Sequence, residues 1–127
     1  MIKRRKTREV KIGNLIIGGE HSVTVQSMTT TKTDDITGTL KEVERLEEAG
    51  CHIIRITVPN KPAAKALYEI KKRMNVPLVA DIHFDYRMAL EAVDAGADKI
   101  RINPGNIGGK ARVREVLEKV KGANLPI

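Results

Sequence analysis

The sequence predicts an α/β fold: the first four βα units of a TIM-type (β/α)8 barrel, preceded by an N-terminal β-hairpin. Three observations carry this. Strand-like and helix-like segments alternate strictly from Val23 onward, which implies a parallel sheet with right-handed crossovers. The stretch Ala49–Asn60 repeats as Ala95–Asn106, with Ala, Gly, Ile, Arg, Ile and Asn in matching places. The offset of 46 residues spans two βα units, so the second and fourth strands play equivalent parts, as alternate strands do inside a barrel. Finally, the strands alternate in polarity near their C-terminal ends. An open parallel sheet covered on both faces calls for nearly continuous apolar strands, whereas a barrel accepts a polar mouth.

The elements follow in order. Residues 9–20 predict two short strands around a Gly13-Asn14 turn. The first core strand is expected over Val23–Met28, followed by a polar loop from Thr29 to Asp35. A helix is expected over Thr37–Ala49, with Leu40, Val43 and Leu46 as its apolar stripe and Gly50 as its stop. The second strand is expected over His52–Val58. Pro62 fits the first turn of a second helix that reaches Met74 with Leu67 and Ile70 buried. Pro77 opens a third strand over Leu78–His83, and Asp85 can cap a third helix ending at Gly96. The fourth strand is expected over Lys99–Asn103. A glycine-rich turn leads into a fourth helix with Val113, Val116, Leu117 and Val120 on its apolar side, and Leu125-Pro126-Ile127 resembles the opening of another strand. The expected division is a basic tail and hairpin over 1–22 and a half-barrel over 23–127.

Composition narrows the partners. The formal net charge is +7, which attracts anions, but aromatic residues make up only 2%. Base-stacking platforms are therefore nearly absent, and no nucleic-acid partner is expected. No apolar run approaches the length that crosses a bilayer, so no membrane partner is expected either. The basic segment Met1–Arg8 is not followed by the apolar core of a signal peptide, and Cys51 has no second cysteine to pair with. The expected compartment is the cytoplasm.

The chemistry gathers at the strand ends. Alternation turns Ile54, Ile56, Ala80, Ile82, Ile100 and Ile102 toward the helices. It turns Arg55, Thr57, Asp81, His83, Arg101 and Asn103 toward the axis. Two guanidinium groups in one layer repel unless an anion lies between them. A phosphate or diphosphate suits the bidentate fork of arginine, and pairing with an internal carboxylate such as Asp81 is the alternative; the two are compatible. Asp81 and His83 share a face and are candidates for substrate contact or proton delivery. A hydrogen-bonded structural pair is the alternative, and two ligands are too few for a metal site. In Asn103–Gly109 the glycines allow close backbone approach at a helix start whose free N–H groups favour an anion, and an ordinary flexible βα loop is the alternative. Gln26, Met28 and Thr29, at the end of the first strand, are candidate substrate contacts. Cys51, His21 and His52 fall at the opposite mouth, where barrel residues serve stability.

Three blocks carry a resemblance. Val25–Thr29, Val76–Arg87 (VPLVADIHFDYR) and Ile100–Gly108 (IRINPGNIG) closely resemble the 4-hydroxy-3-methylbut-2-enyl diphosphate synthase family, and the likeness runs from about Arg4 to Ile127. The resemblance implies reductive opening of 2-C-methyl-D-erythritol 2,4-cyclodiphosphate in isoprenoid biosynthesis. It implies a barrel that binds the diphosphate, and a separate domain with a [4Fe–4S] cluster on three cysteines and a glutamate. It also implies ferredoxin or flavodoxin as electron donor, and a homodimer. Carried over, Arg55, Arg101, Asn103 and Asn106 would face the diphosphate, and Asp81 and His83 the hydroxyl groups. The cluster ligands match no residue here, so the expectation is a substrate-binding part that is inactive alone. A pterin- or sugar-phosphate-type barrel synthase without a cluster would turn over free of iron. A non-enzymatic anion- or nucleic-acid-binding domain would show a steep salt dependence for DNA or RNA.

Overall fold

The computed structural model describes residues 1–127. Strands β1 (Val10–Ile12) and β2 (Leu15–Ile17) form an antiparallel hairpin with Ile12 opposite Leu15. There follow β3 (Gln26–Met28), α1 (Ile36–Glu48), β4 (Ile53–Thr57), α2 (Lys61–Lys72), β5 (Leu78–Ile82), α3 (Tyr86–Asp94), β6 (Lys99–Ile102) and α4 (Lys110–Gly122). The four later strands make one parallel sheet in the order β3-β4-β5-β6. No helix is long and apolar enough to cross a membrane.

Helix boundaries follow their capping chemistry. The side chains of Asp35, Asn60 and Asp85 accept the backbone N–H of Gly38, Ala63 and Arg87 at the starts of α1, α2 and α3. The repeat also has a structural meaning. After α1, Gly50 N–H donates to the Glu47 carbonyl and Cys51 N–H to that of Leu46. After α3, Gly96 donates to Val93 and Ala97 to Ala92 in the same pattern. Both glycines are left-handed, with φ of +88° and +93°. Ala-Gly therefore ends each helix with the same turn and launches β4 and β6 in the same way.

The core lies between sheet and helices. Ile54, Ile56, Ala80, Ile82 and Ile100 are fully buried against Leu67, Ile70, Ala89 and Val116. The other face of the sheet is covered only at its N-terminal end. There Ile12 of the hairpin packs on Ile53 and Val79, with Val10, Leu15 and Ile17 around them. The hairpin thus closes the bottom of the axis-facing side and leaves the top open.

Some expectations need correction. The first core strand does not begin at Val23: Val23 and Val25 are 82% and 56% exposed, and only Gln26–Met28 join the ladder. The imidazole of His52 explains the late start. Its Nδ1 accepts the Val25 N–H at 2.9 Å, while the Val25 carbonyl accepts from His52 and Ile53. The second helix ends at Lys72 and not at Met74, because Arg73 and Met74 close it with tighter turns to Ile70 and Lys71. Leu117 does not belong to the buried side of α4; it is 44% exposed beside β6, which no further strand flanks. Strands β4, β5 and β6 are a residue or two shorter than expected, so His83 and Asn103 stand just beyond them.

Candidate functional site

Four polar side chains converge at the open end of the sheet. Asp81, next to the last residue of β5, is buried at 1% exposure. Its Oδ1 accepts from an Arg101 guanidinium nitrogen at 3.2 Å. Its Oδ2 lies 3.2 Å from Arg55 Nε and 3.1 Å from His83 Nε2. One carboxylate therefore faces two guanidinium groups and an imidazole, and it neutralises only one of the two fixed positive charges. An uncompensated charge at the end of a sheet, partly removed from water, favours an anion.

Register sharpens how the arginines meet. In the ladder Arg55 is level with Val79, while Asp81 is level with Thr57 on one side and Arg101 on the other. Arg101 is thus level with Thr57, and the two arginines are offset by two residues along the strand direction. Tilted strands in a barrel carry such a stagger, and it lets both guanidinium groups reach the same carboxylate.

Arg55 is the less satisfied of the two. Its Nε is buried and makes no well-aligned hydrogen bond, since the Asp81 contact is close but poorly directed. A terminal nitrogen points at Met28 Sδ, 3.5 Å away, a weak acceptor. The Arg55 and Arg101 side chains are 30% and 43% exposed, so their remaining donors reach the open mouth.

The other candidates are placed as follows. Gln26 and Met28 are level with Ile53 and Arg55 and share their face. Thr29 falls on the opposite side by alternation and is buried at 6%; its N–H donates to the Arg55 carbonyl. Asn103 folds its Oδ1 back onto Gly105 N–H at 3.1 Å, and the Asn103 carbonyl accepts Asn106 N–H, so both asparagines organise the exposed turn before α4. His83 is also flanked by exposed Phe84, whose ring meets the imidazole edge-on at 6.2 Å.

The polar loop between β3 and α1 was expected, but its anchor on α1 is a feature that residue patterns did not single out. Glu42 on α1 accepts the Thr30 and Thr31 N–H groups and the Thr30 hydroxyl. Partial burial pushes the Glu42 carboxyl up, but the Thr30 and Thr31 donors outweigh it and hold it below the usual carboxylate range. No three His, Cys, Asp or Glu side chains come together as a metal site. Cys51 is buried with Sγ 3.0 Å from the Ile53 carbonyl.

With this geometry in view, comparison decides the family: a model described as the GcpE TIM-barrel domain matches residues 7–127. The chain belongs to that family. It is 60% identical over 126 residues to the 4-hydroxy-3-methylbut-2-en-1-yl diphosphate synthase (flavodoxin) of Listeria monocytogenes, covering 99% of this chain and 34% of that protein. The Bacillus mycoides protein of the same name is 56% identical over 127 residues, covering 100% of this chain and 35% of that one. The GcpE-type chain thus spans about a third of the length of the curated relatives it matches. Among solved structures it is similar to 7,8-dihydropteroate synthase from Vibrio fischeri, with a TM-score of 0.69 at 18% identity, covering 94% of this chain and 47% of that one. That likeness concerns the fold alone.

Proposed function

We propose that this GcpE-type chain is the substrate-binding half-barrel of an enzyme that converts 2-C-methyl-D-erythritol 2,4-cyclodiphosphate to 4-hydroxy-3-methylbut-2-en-1-yl diphosphate. The observation that carries the reading is the pair Arg55 and Arg101 around a single buried carboxylate, Asp81, with donors left over toward the open mouth. The names of the relatives supply the diphosphate.

In this reading Arg55 and Arg101 hold the diphosphate, and the turn carrying Asn103 and Asn106 approaches it from β6. Asp81 keeps both guanidinium groups aimed upward, and His83 delivers or accepts a proton at a substrate hydroxyl. Gln26 and Met28 border the site from β3. Thr29 acts through the backbone it donates to. These groups bind and orient and carry no electrons; a [4Fe–4S] cluster with ferredoxin or flavodoxin as donor, as the family resemblance implies, would supply the two-electron reduction. The residues of this chain do not fit such a cluster. Cys51 is its only thiol and is buried at the far end of β4, and no other donor set converges. No residue of this chain is assigned to a cluster; the reading keeps the cytoplasmic location and the homodimer expected above.

Titration calorimetry with the cyclic diphosphate tests the reading. Wild type should bind, and Arg101→Ala should bind roughly tenfold or more weakly, as expected for loss of a charged hydrogen bond. Equal heats from the two proteins would remove Arg101 from the site.

A further inference from the structure

The open end of the sheet has one wall that is more rigid than its composition suggests. The loop from Met28 to Asp35 is fixed at both ends to β4. Thr29 N–H donates to the Arg55 carbonyl, and the buried Thr33 donates its hydroxyl to the Thr57 carbonyl at 2.6 Å. Its middle is fixed to α1. Thr31 Oγ1 meets the fully buried Thr39 Oγ1 at 2.8 Å, and Thr39 donates to the Lys32 carbonyl. Glu42 takes the remaining donors: Oε2 accepts Thr30 N–H at 2.7 Å and Thr31 N–H at 3.1 Å, and Oε1 accepts the Thr30 hydroxyl.

We infer that Glu42 is a positioning residue: it holds the threonine loop as a fixed wall beside Arg55, so that the anion cradle is preorganised before substrate arrives. This rests on the cradle reading above. The contacts are built for it. Both N–H groups are successive in the chain, and each would face water or nothing if the carboxylate were removed. Few charges compete for Glu42. Arg45, one turn along α1, lies 3.9 Å from Oε1 and is mostly exposed. Lys32 in the loop and Lys41 beside Glu42 form no ion pair with it, and the Asp35 carboxylate is occupied by Gly38 N–H. No cation of β4 or α2 comes within ion-pair distance of Glu42.

The carboxylate and its amide isostere separate geometry from charge. In Glu42→Gln the amide oxygen can accept both N–H groups and the amide nitrogen can donate to the Thr30 hydroxyl, so the wall should stand. In Glu42→Ala all three contacts go. The readout is amide hydrogen exchange at Thr30 and Thr31, with the amides of α1 as internal reference for folding. Glu42→Ala should lose about tenfold of the protection at these two amides and Glu42→Gln should keep it. Because the native Glu42 carboxyl is held low, wild-type protection is present at neutral pH. It should fall as pH drops through the native value, whereas that of Glu42→Gln should not. A parallel titration with inorganic diphosphate should show weaker binding by Glu42→Ala and wild-type binding by Glu42→Gln.

Unchanged protection in Glu42→Ala overturns the proposal, as does loss in Glu42→Gln equal to that in Glu42→Ala. If wild type binds no diphosphate while Glu42→Ala still loses protection, the cradle reading fails and the preorganisation claim falls with it; Glu42 is then a loop anchor alone.

Discussion

At the scale of single residues, Asp81 is the centre of the arrangement. It is buried at 1% and faces Arg55, Arg101 and His83 at once. Asp81→Asn keeps the shape and removes the only negative charge, so two guanidinium groups lose their counter-charge. We expect a loss of about 2 kcal/mol in stability, measured by denaturant unfolding, because charged hydrogen bonds are lost while the partly exposed guanidinium groups keep some of their hydration. Adding diphosphate should restore part of that loss by binding only the folded state. Asp85 offers a pH test. The Arg87 guanidinium, bonded to both carboxylate oxygens, holds the Asp85 carboxyl below its ordinary value. A carboxyl lowered in the folded state adds stability above its unfolded value near 3.8 and loses it as pH falls through the folded value. Thermal melts from pH 7 downward should therefore fall less steeply for Asp85→Asn, which still caps α3, than for wild type. The four converging residues were legible because strand alternation is a simple period. Glu42 was not, since its partners lie 11 and 12 residues away and no period links a helix face to a preceding loop.

At the scale of elements, the hairpin does more than precede the barrel. Ile12 is 1% exposed and covers Ile53 and Val79 on the axis side of β4 and β5. Ile12→Ala should cost about 2–4 kcal/mol, the range for a large apolar side chain removed from a packed site. If denaturant unfolding shows no change, the hairpin is not part of the core. The Asp85 cap, the glycine stops and the Ala-Gly repeat were readable because they are local chemistry, and the helices fall within two residues of expectation. The early part of the first strand was misread for a non-local reason. Val23 and Val25 carry strand propensity, yet His52, from a segment far along the chain, takes the Val25 N–H with its side chain. The strand ends were overextended because polar residues that continue the alternation, such as His83 and Asn103, look the same whether or not the ladder continues.

At the scale of the whole molecule, the sheet has two edges. β3 pairs only with β4, and β6 only with β5, apart from one bond from Ile100 N–H to the Pro126 carbonyl. Exposed Val25, Leu117 and Ile127 lie along or near these edges. Unpaired parallel edges with apolar flanks invite pairing. Light scattering on the 127-residue chain should show association that grows with concentration, and a monomer at all concentrations would count against it. Charge adds a rival location for any anion, since Lys3, Arg4, Arg5, Lys6 and Arg8 form an exposed basic tail. The decisive measurement is therefore one that reports on individual arginines. In nitrogen-resolved NMR of guanidinium Nε–H groups, titration with the cyclic diphosphate should shift Arg55 and Arg101 together, with one affinity, and leave Arg4, Arg5 and Arg8 unmoved. Shifts confined to the tail, or an unmoved Arg55 and Arg101, would contradict the account.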